Sequence, residues 1–481
     1  MSMQVENFVG GHFRPAVSGE TFVKLEPATG AELATVAASG QADVNAAVTA
    51  AKAAFQGVWR DMTANQRGMK LHHLADLIER DTEQIITLLA REQGRPTIEM
   101  RMMDIPMAVD TLRYFAGWAD KLEGRSIPTA GSMGRATLNY TELEPMGVVA
   151  HIIPWNAPLM ICIWKLAPAL AAGCTVVIKP SEDAPIALTH LMRLIAEAGI
   201  PEGVVNLVNG IGPNAGRALV AHPDIAKVSF TGSTEVGRAI ARDLAGTFKP
   251  LTLELGGKAA QILLADADIP RAIDGLLLGL FANQGQTCAA GSRILVHASI
   301  ADTVAERLAA ATNAIRVGHP QDPEAQMGPL INANHKARVD DYVKKGRGEG
   351  ARMIAGGRAV PENGFFVCPT LFVHPDAGST LAQEEIFGPV GVIIPFSDDD
   401  KAVQIANSTR YGLSTSLWTQ DVSKAHTLAR KIDVGSVAIN CWSPLDARLA
   451  WGGHKDSGIG HDLSRTAVTS YLREKTVTVS L

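Results

Sequence analysis

Cysteine is scarce in this chain: the 481 residues contain only five, at positions 162, 174, 288, 368 and 441. They are scattered, odd in number and form no C-x-x-C pair. That excludes an obvious zinc site, makes a disulfide framework an unsuitable reading, and points to a reducing, cytoplasmic compartment. No metal is expected. Basic runs are missing too. Lys and Arg total 44 against 49 Asp and Glu, a formal charge of -5, and no Lys/Arg block occurs, so no nucleic-acid partner is expected. No apolar run reaches the roughly 18 residues a membrane helix needs; the stretch from Ala157 to Trp164 comes closest and stops at Lys165. No membrane contact is expected. The opening residues carry Glu6 and have neither a basic start nor an apolar core, unlike a signal peptide. Repeats and low-complexity tracts are absent as well.

A length of 481 residues exceeds what one core usually organises, so two or three domains are expected. Short β-branched runs alternate with Ala/Leu-rich stretches, the pattern of an α/β fold with a largely parallel sheet. It is clearest over 147–255, where strands at 148–153, 175–179, 204–208, 227–231 and 251–255 are separated by helices at 160–171, 186–198, 215–221 and 236–244. Five such strands fit a doubly wound nucleotide-binding sheet. Upstream, 42–58, 63–91 and 98–121 have helical spacing, with Pro106 expected to kink or break the last. Residues 136–143 read as a projecting strand, and a second α/β pattern runs from 259 to about 456. The terminal stretch 474–480 alternates strictly, and such a strand must pair with this subunit or with a partner's.

Three residues stand out chemically. Cys288 lies in Asn283-Gln-Gly-Gln-Thr-Cys-Ala-Ala-Gly291, where small neighbours would let a substrate reach the sulfur and backbone amides could stabilise a thiolate. Taken alone, it also reads as a structural cysteine. Glu254 ends an apolar run in Leu251-Thr-Leu-Glu-Leu-Gly-Gly-Lys258; a carboxylate so placed is desolvated and would serve as a general base. A salt bridge to Lys258 is the alternative. Asn156 follows the first strand in Pro154-Trp-Asn-Ala-Pro158, at the end of the sheet where ligands bind. Its amide can meet an oxyanion, or simply form a turn.

Together these motifs resemble the NAD(P)-dependent aldehyde dehydrogenase superfamily, over nearly the whole chain. Pro154-Trp155-Asn156, Lys179-Pro-Ser-Glu182, Phe230-Thr-Gly-Ser-Thr-Glu-Val-Gly237, Leu253-Glu-Leu-Gly-Gly-Lys258, Gly285-Gln-Thr-Cys288, Glu384-Glu-Ile-Phe-Gly-Pro-Val390 and the Gly-rich 452–460 occur in the family's order. The resemblance implies a doubly wound Rossmann-type cofactor domain (1–123 and 146–256), a second α/β catalytic domain (257–456) and a small β oligomerisation element (124–145 and 457–481). It also implies a homodimer or homotetramer.

The same resemblance assigns roles. Cys288 is the nucleophile, Glu254 the base for hydrolysis, Asn156 with the Cys288 backbone N–H the oxyanion hole, and Lys165 a member of the proton path. NAD would be held by Lys179 and Glu182 at the adenosine ribose and by Gly232 and Ser233 at the pyrophosphate. Glu385 and Phe387 would meet the nicotinamide half, with Ile152, Pro154, Trp155 and Leu255 lining the cleft. Ala157, Ile161, Trp164, Thr287, Ala289, Leu445 and Trp451 would line the substrate pocket. Ala157 and Leu445 stand where many relatives carry bulkier aromatics, which implies a wide tunnel and a hydrophobic or aromatic aldehyde. Asp446 and Arg448 would bring charge to its entrance. The Gly210-Ile-Gly212-Pro-Asn-Ala215 match to a dinucleotide fingerprint is set aside as chance.

The implied reaction is oxidation of an aldehyde to an acid through a thiohemiacetal and a thioester. Glu254 favours hydrolysis over transfer to coenzyme A, the alternative within the class; a thiol hydrolase using one of the 13 histidines is the alternative outside it. Glu182 would repel the 2′-phosphate of NADP by up to about 4 kcal/mol at ~4 Å and an effective dielectric near 20, making NADP the weaker cofactor.

Overall fold

The computed structural model describes residues 3–481. Two sheets organise it. The first runs in the order 458–459, 251–254, 227–231, 148–153, 175–180, 205–207, 7–9, 12–14. Its five central strands are parallel, and each is a β-branched run buried on both faces, as parallel strands covered by helices must be. The chain starts at Val148–Ile153, moves outward through Thr175–Pro180 and Val205–Leu207, then returns to the other side with Lys227–Thr231 and Leu251–Glu254. That reversal opens a crevice between the ends of Val148–Ile153 and Lys227–Thr231, the place where an open α/β sheet binds its ligand.

The second sheet has the order 352–355, 370–373, 390–396, 293–297, 260–263, 414–418, 436–439, parallel except at Arg352–Ala355. A short connection, 255–259, leads from the C-terminal end of the first sheet to the start of the second. The site lies where those two edges meet. Separate apolar clusters cover the faces of each sheet, and a smaller one, holding Ile161, Trp164 and Trp451, sits between them.

Three expectations need adjusting. The helix expected to kink or break at Pro106 does not break: it runs from Thr97 to Ala116, with a π turn at Met100–Asp104 just before the proline. Widening the turn removes the clash between the proline ring and the preceding carbonyl. The expected helix 63–91 is two helices, Ala64–Arg80 and Thr82–Gln93, divided at Asp81. The C-terminal segment is not purely a bridging element, because Gly458–Ile459 adds an antiparallel strand to Leu253 and Glu254 of the first sheet. The rest of it, Leu472–Ser480, pairs along its whole length with Thr137–Pro145 of the same chain in a two-stranded ribbon. Among the described residues no helix is long and apolar enough to cross a membrane, and no cluster of His, Cys, Asp and Glu has metal-binding arrangement.

Candidate active site

The helix Ile269–Phe281 ends in a tight turn, Ala282–Gly285, in which three consecutive residues adopt left-handed conformations: Asn283 (φ 49°), Gln284 (φ 57°) and Gly285 (φ 68°). For the two non-glycine residues this backbone is strained, by about 1–3 kcal/mol each, so it needs external support. The Asn283 side chain donates to the Asn156 carbonyl at 2.7 Å, and the Asn283 N–H donates to Glu99 at 2.9 Å. Gln284 donates to the carbonyls of Gly94 at 2.9 Å and Pro329 at 2.8 Å, while Gln286 accepts from the Ile331 N–H at 3.1 Å. Gly285 also has to be glycine for space, since a Cβ there would lie 2.4 Å from the Gly388 carbonyl. The turn delivers Cys288 to the floor of a pocket, half-buried and free of any disulfide. Burial pushes its thiol up to about 12, with the charges of Glu254 and Glu385 adding to the effect.

Glu254 ends its strand in the same pocket, 4% exposed. Neither of its carboxylate oxygens has a hydrogen-bond partner. Burial first, and then nearby Asp462, push its pKa well above the ordinary carboxylate range, against the pull of Lys165. The alternative of a salt bridge to Lys258 does not form: the Lys258 ammonium is itself buried without a partner. Asn156 lies beside Cys288, its amide donating one N–H to the Gln286 carbonyl at 3.0 Å, which fixes its direction and leaves the second N–H available. Lys165 is the one charge in the buried helix Pro158–Ala172. It donates to Asp462 at 2.7 Å and to the Ser229 hydroxyl at 3.0 Å.

The enclosed part of the pocket is small, about 60 Å³. All seven residues expected to form it, Ala157, Ile161, Trp164, Thr287, Ala289, Leu445 and Trp451, line it. Asp446 and Arg448 do not; they are bonded to each other on the surface. Sequence reasoning missed Asp462 and the buried pair Arg95–Asp104, which also line the pocket. Arg95 is bonded to Glu99 as well, the residue that supports Asn283. Arg95 stands in the short link before the helix that carries Asp104, so no periodic pattern pairs them in the sequence.

A continuous cleft leads from Cys288 to the open end of the first sheet. Its near half is lined by Leu255, Glu385 and Phe387, and its far half by Ile152, Lys179, Glu182 and Phe230, with Pro154, Trp155, Gly232 and Ser233 among those common to both. Every residue expected at the cofactor is therefore in it. Phe387 (φ 60°) stands edge-on to Trp155, ring centroids 5.3 Å apart, and the His335 ring nitrogen donates to its carbonyl at 2.7 Å. Glu385 is raised to about 7 by burial although the Gly257 N–H donates to it. Lys179 and Glu182 are bonded at 3.0 Å. Burial opposes ionisation of Glu182, but Lys179 and backbone N–H groups outweigh it and hold its carboxyl below the usual range. The cleft thus offers ribose-binding carboxylates at both halves and, between them, the N-terminus of helix Thr234–Leu244 capped by Ser233, a donor-rich place for a pyrophosphate. A dinucleotide fits these groups. One expectation needs correcting: Gly212, set aside as a chance match, lines the far half together with Pro213 and Gly216.

A half-buried cysteine, a carboxylate without a partner and a dinucleotide cleft between two α/β sheets define an oxidoreductase that works through a covalent thiol intermediate. Residues 13–477 match the aldehyde dehydrogenase family, and the chain belongs to it. It is 42% identical to the mitochondrial aldehyde dehydrogenase of Homo sapiens over 478 residues, 98% of this chain and 92% of that one. A Bacillus cereus aldehyde dehydrogenase solved as an NAD⁺ complex superposes with a TM-score of 0.97 at 42% identity, covering 99% of this chain and 97% of the other. The P. syringae indole-3-acetaldehyde dehydrogenase, solved with NAD⁺ and IAA, gives 0.96 at 37% identity, covering 100% and 97%. The chain is accordingly an NAD-dependent enzyme that oxidises an aldehyde to a carboxylic acid.

Proposed function

We propose that the oxidation runs through Cys288 and ends in hydrolysis by Glu254, with a hydrophobic or aromatic aldehyde as substrate. The observation that carries this is the meeting of Cys288, Asn156 and Glu254 in one apolar pocket at the inner end of the dinucleotide cleft. Cys288 gives up its S–H proton to water in the cleft, and the thiolate sulfur adds to the aldehyde carbon, because an aldehyde is a poor hydride donor until a nucleophile has added. The oxygen that becomes negative meets the free N–H of Asn156 and the backbone N–H of Cys288. NAD supplies the hydride acceptor, its ends held by Lys179 with Glu182 and by Glu385 with Phe387. The resulting Cys288 thioester is attacked by water, whose proton Glu254 takes. A base with a raised pKa suits that step, since a carboxylate of ordinary pKa is a weak acceptor near neutrality. Lys165 and Asp462, beside Glu254, form the adjoining proton path.

Removing Asn156 by substitution with Ala is expected to lower kcat by about 10²–10³-fold, the contribution of one oxyanion donor, with a smaller change in KM; single-turnover hydride transfer measures it. The overall reading is tested by NADH yield from aliphatic and aromatic aldehydes with and without coenzyme A. Equal yield and free acid as product support hydrolysis; dependence on coenzyme A, or no turnover, defeats it. A thiol hydrolase is disfavoured because the histidine in the cleft that reaches Cys288, His335, is committed to the Phe387 carbonyl. NADP would serve less well than NAD, because the ionised Glu182 faces the adenosine end.

The division into a cofactor unit (1–123, 146–256), a catalytic unit (257–456) and an oligomerisation element (124–145, 457–481) is supported by the two sheets and the ribbon, apart from Gly458–Ile459, which pairs with the first sheet. A homodimer or homotetramer is supported by the exposure of Leu472–Ser480, since a two-stranded ribbon alone is marginal in water. A cytoplasmic location is supported by five cysteines that are all free.

A further inference from the structure

The substrate pocket holds polar groups that the reaction as described never uses. Three of the chain's seven tryptophans, Trp164, Trp442 and Trp451, line it. Trp164 and Trp451 form a corner, ring centroids 6.3 Å apart and planes at 59°. Trp442 spends its indole N–H on the Ala289 carbonyl at 3.2 Å. Trp164 does not: it is 4% exposed, and its N–H has no partner. The Ser443 hydroxyl in the same wall is also buried and unpartnered, on a residue held at φ 26°.

Buried donors without partners are costly and rare, so each calls for a reason. Trp59 and Trp418 also bury unpaired indole N–H groups, but within packed clusters that no ligand enters. Trp164 differs in belonging to the lining of a cavity.

The charges around the pocket narrow the choice further. Arg95 is held by Asp104 and Glu99, and Lys165 by Asp462, so no cation is left over for a substrate carboxylate. A cationic substrate would gain from the tryptophan faces, but it cannot accept a hydrogen bond from Trp164. A neutral oxygen can. Flat apolar walls with a spare donor match an aromatic ring that carries a hydroxyl or ether oxygen.

We infer that the preferred substrate is an aromatic aldehyde bearing a neutral oxygen on its ring, and that the Trp164 N–H, or the Ser443 hydroxyl of the same lining, receives that oxygen. This rests on the aldehyde-oxidising reading of the same pocket. A site with a donor in wait favours the analogue that satisfies it and discriminates against the one that does not.

The test is kcat/KM for NADH formation by the full-length enzyme with benzaldehyde, its 3- and 4-hydroxy and methoxy derivatives, a trimethylammonio aldehyde and succinic semialdehyde. At least one oxygenated benzaldehyde is expected to exceed benzaldehyde by about tenfold or more, on the order of one hydrogen bond. In Trp164→Phe, which keeps the aromatic wall and removes the N–H, that ratio is expected to fall to about one. Ser443→Ala, the variant to rely on if Trp164→Phe does not fold, is expected to reduce it in part. The inference is overturned if plain benzaldehyde is equally good, if the ratio survives both substitutions, or if the ammonium or carboxylate aldehyde is best. Failure of every aldehyde would instead overturn the underlying reaction.

Discussion

Replacing Cys288 with serine is expected to abolish NADH formation from every aldehyde, by roughly 10⁴-fold or more, as the loss of a covalent nucleophile does. The substitution exchanges one sulfur for oxygen on a half-buried side chain, so folding and dinucleotide binding should persist. A thermal melt and cofactor fluorescence titration check both. Serine fails for a reason visible in the site. Burial and the neighbouring charges of Glu254 and Glu385 already push the Cys288 thiol up to about 12. An alcohol in that place, intrinsically a far weaker acid, has no way to become a nucleophile. Full activity in Cys288→Ser would remove the thiol from the mechanism altogether.

The second large effect separates the two halves of the reaction. Glu254→Gln is expected to release one NADH per active site in a burst and then to turn over about 10²–10⁴-fold more slowly than the wild type, the range of a general base. The burst should survive, because removing the Glu254 charge removes one of the groups that oppose ionisation of Cys288. Mass spectrometry of the quenched variant would find the acyl group on Cys288. The pH profile gives an independent check. Glu254 acts as a base only when deprotonated, and its pKa is raised by burial. Hydrolysis in the wild type should therefore rise with pH through a value well above the usual carboxylate range, and Glu254→Gln should lose that limb. An unchanged steady rate in the variant would assign the base elsewhere.

Much of this was legible in the amino-acid order, and the reasons differ by element. The strands of the first sheet are short apolar runs between helices, and that alternation places Asn156 just past the end that faces the crevice, while Ser233 was assigned by the family resemblance. Cys288 and Glu254 stand in short polar or glycine-rich breaks after apolar stretches, which is a local signal. The parts that escaped are those set by distant partners. Asp462 matters because Lys165 reaches it at 2.7 Å across 297 positions. Arg95 stands in a link before the helix of Asp104, and only the fold brings the two together at the pocket. Gly212 was discounted as one glycine among 45, yet the path of the chain brings it to the cleft. Pro106 signalled an interruption, and only the backbone could reveal that a widened turn satisfies it.

The left-handed turn before Cys288 has a consequence for how activity arises. Its supports come from Gly94, Glu99, Asn156, Pro329 and Ile331, so they draw on both sheets and the helical region upstream. Contacts so far apart along the chain close late in folding. Neither half of the polypeptide, made alone, holds enough of them to wind the turn. During refolding, a reactive, correctly seated thiol should emerge only after the two sheets have docked, later than the bulk of the secondary structure. A labelling reagent for exposed thiols, followed during refolding, would read that moment at Cys288.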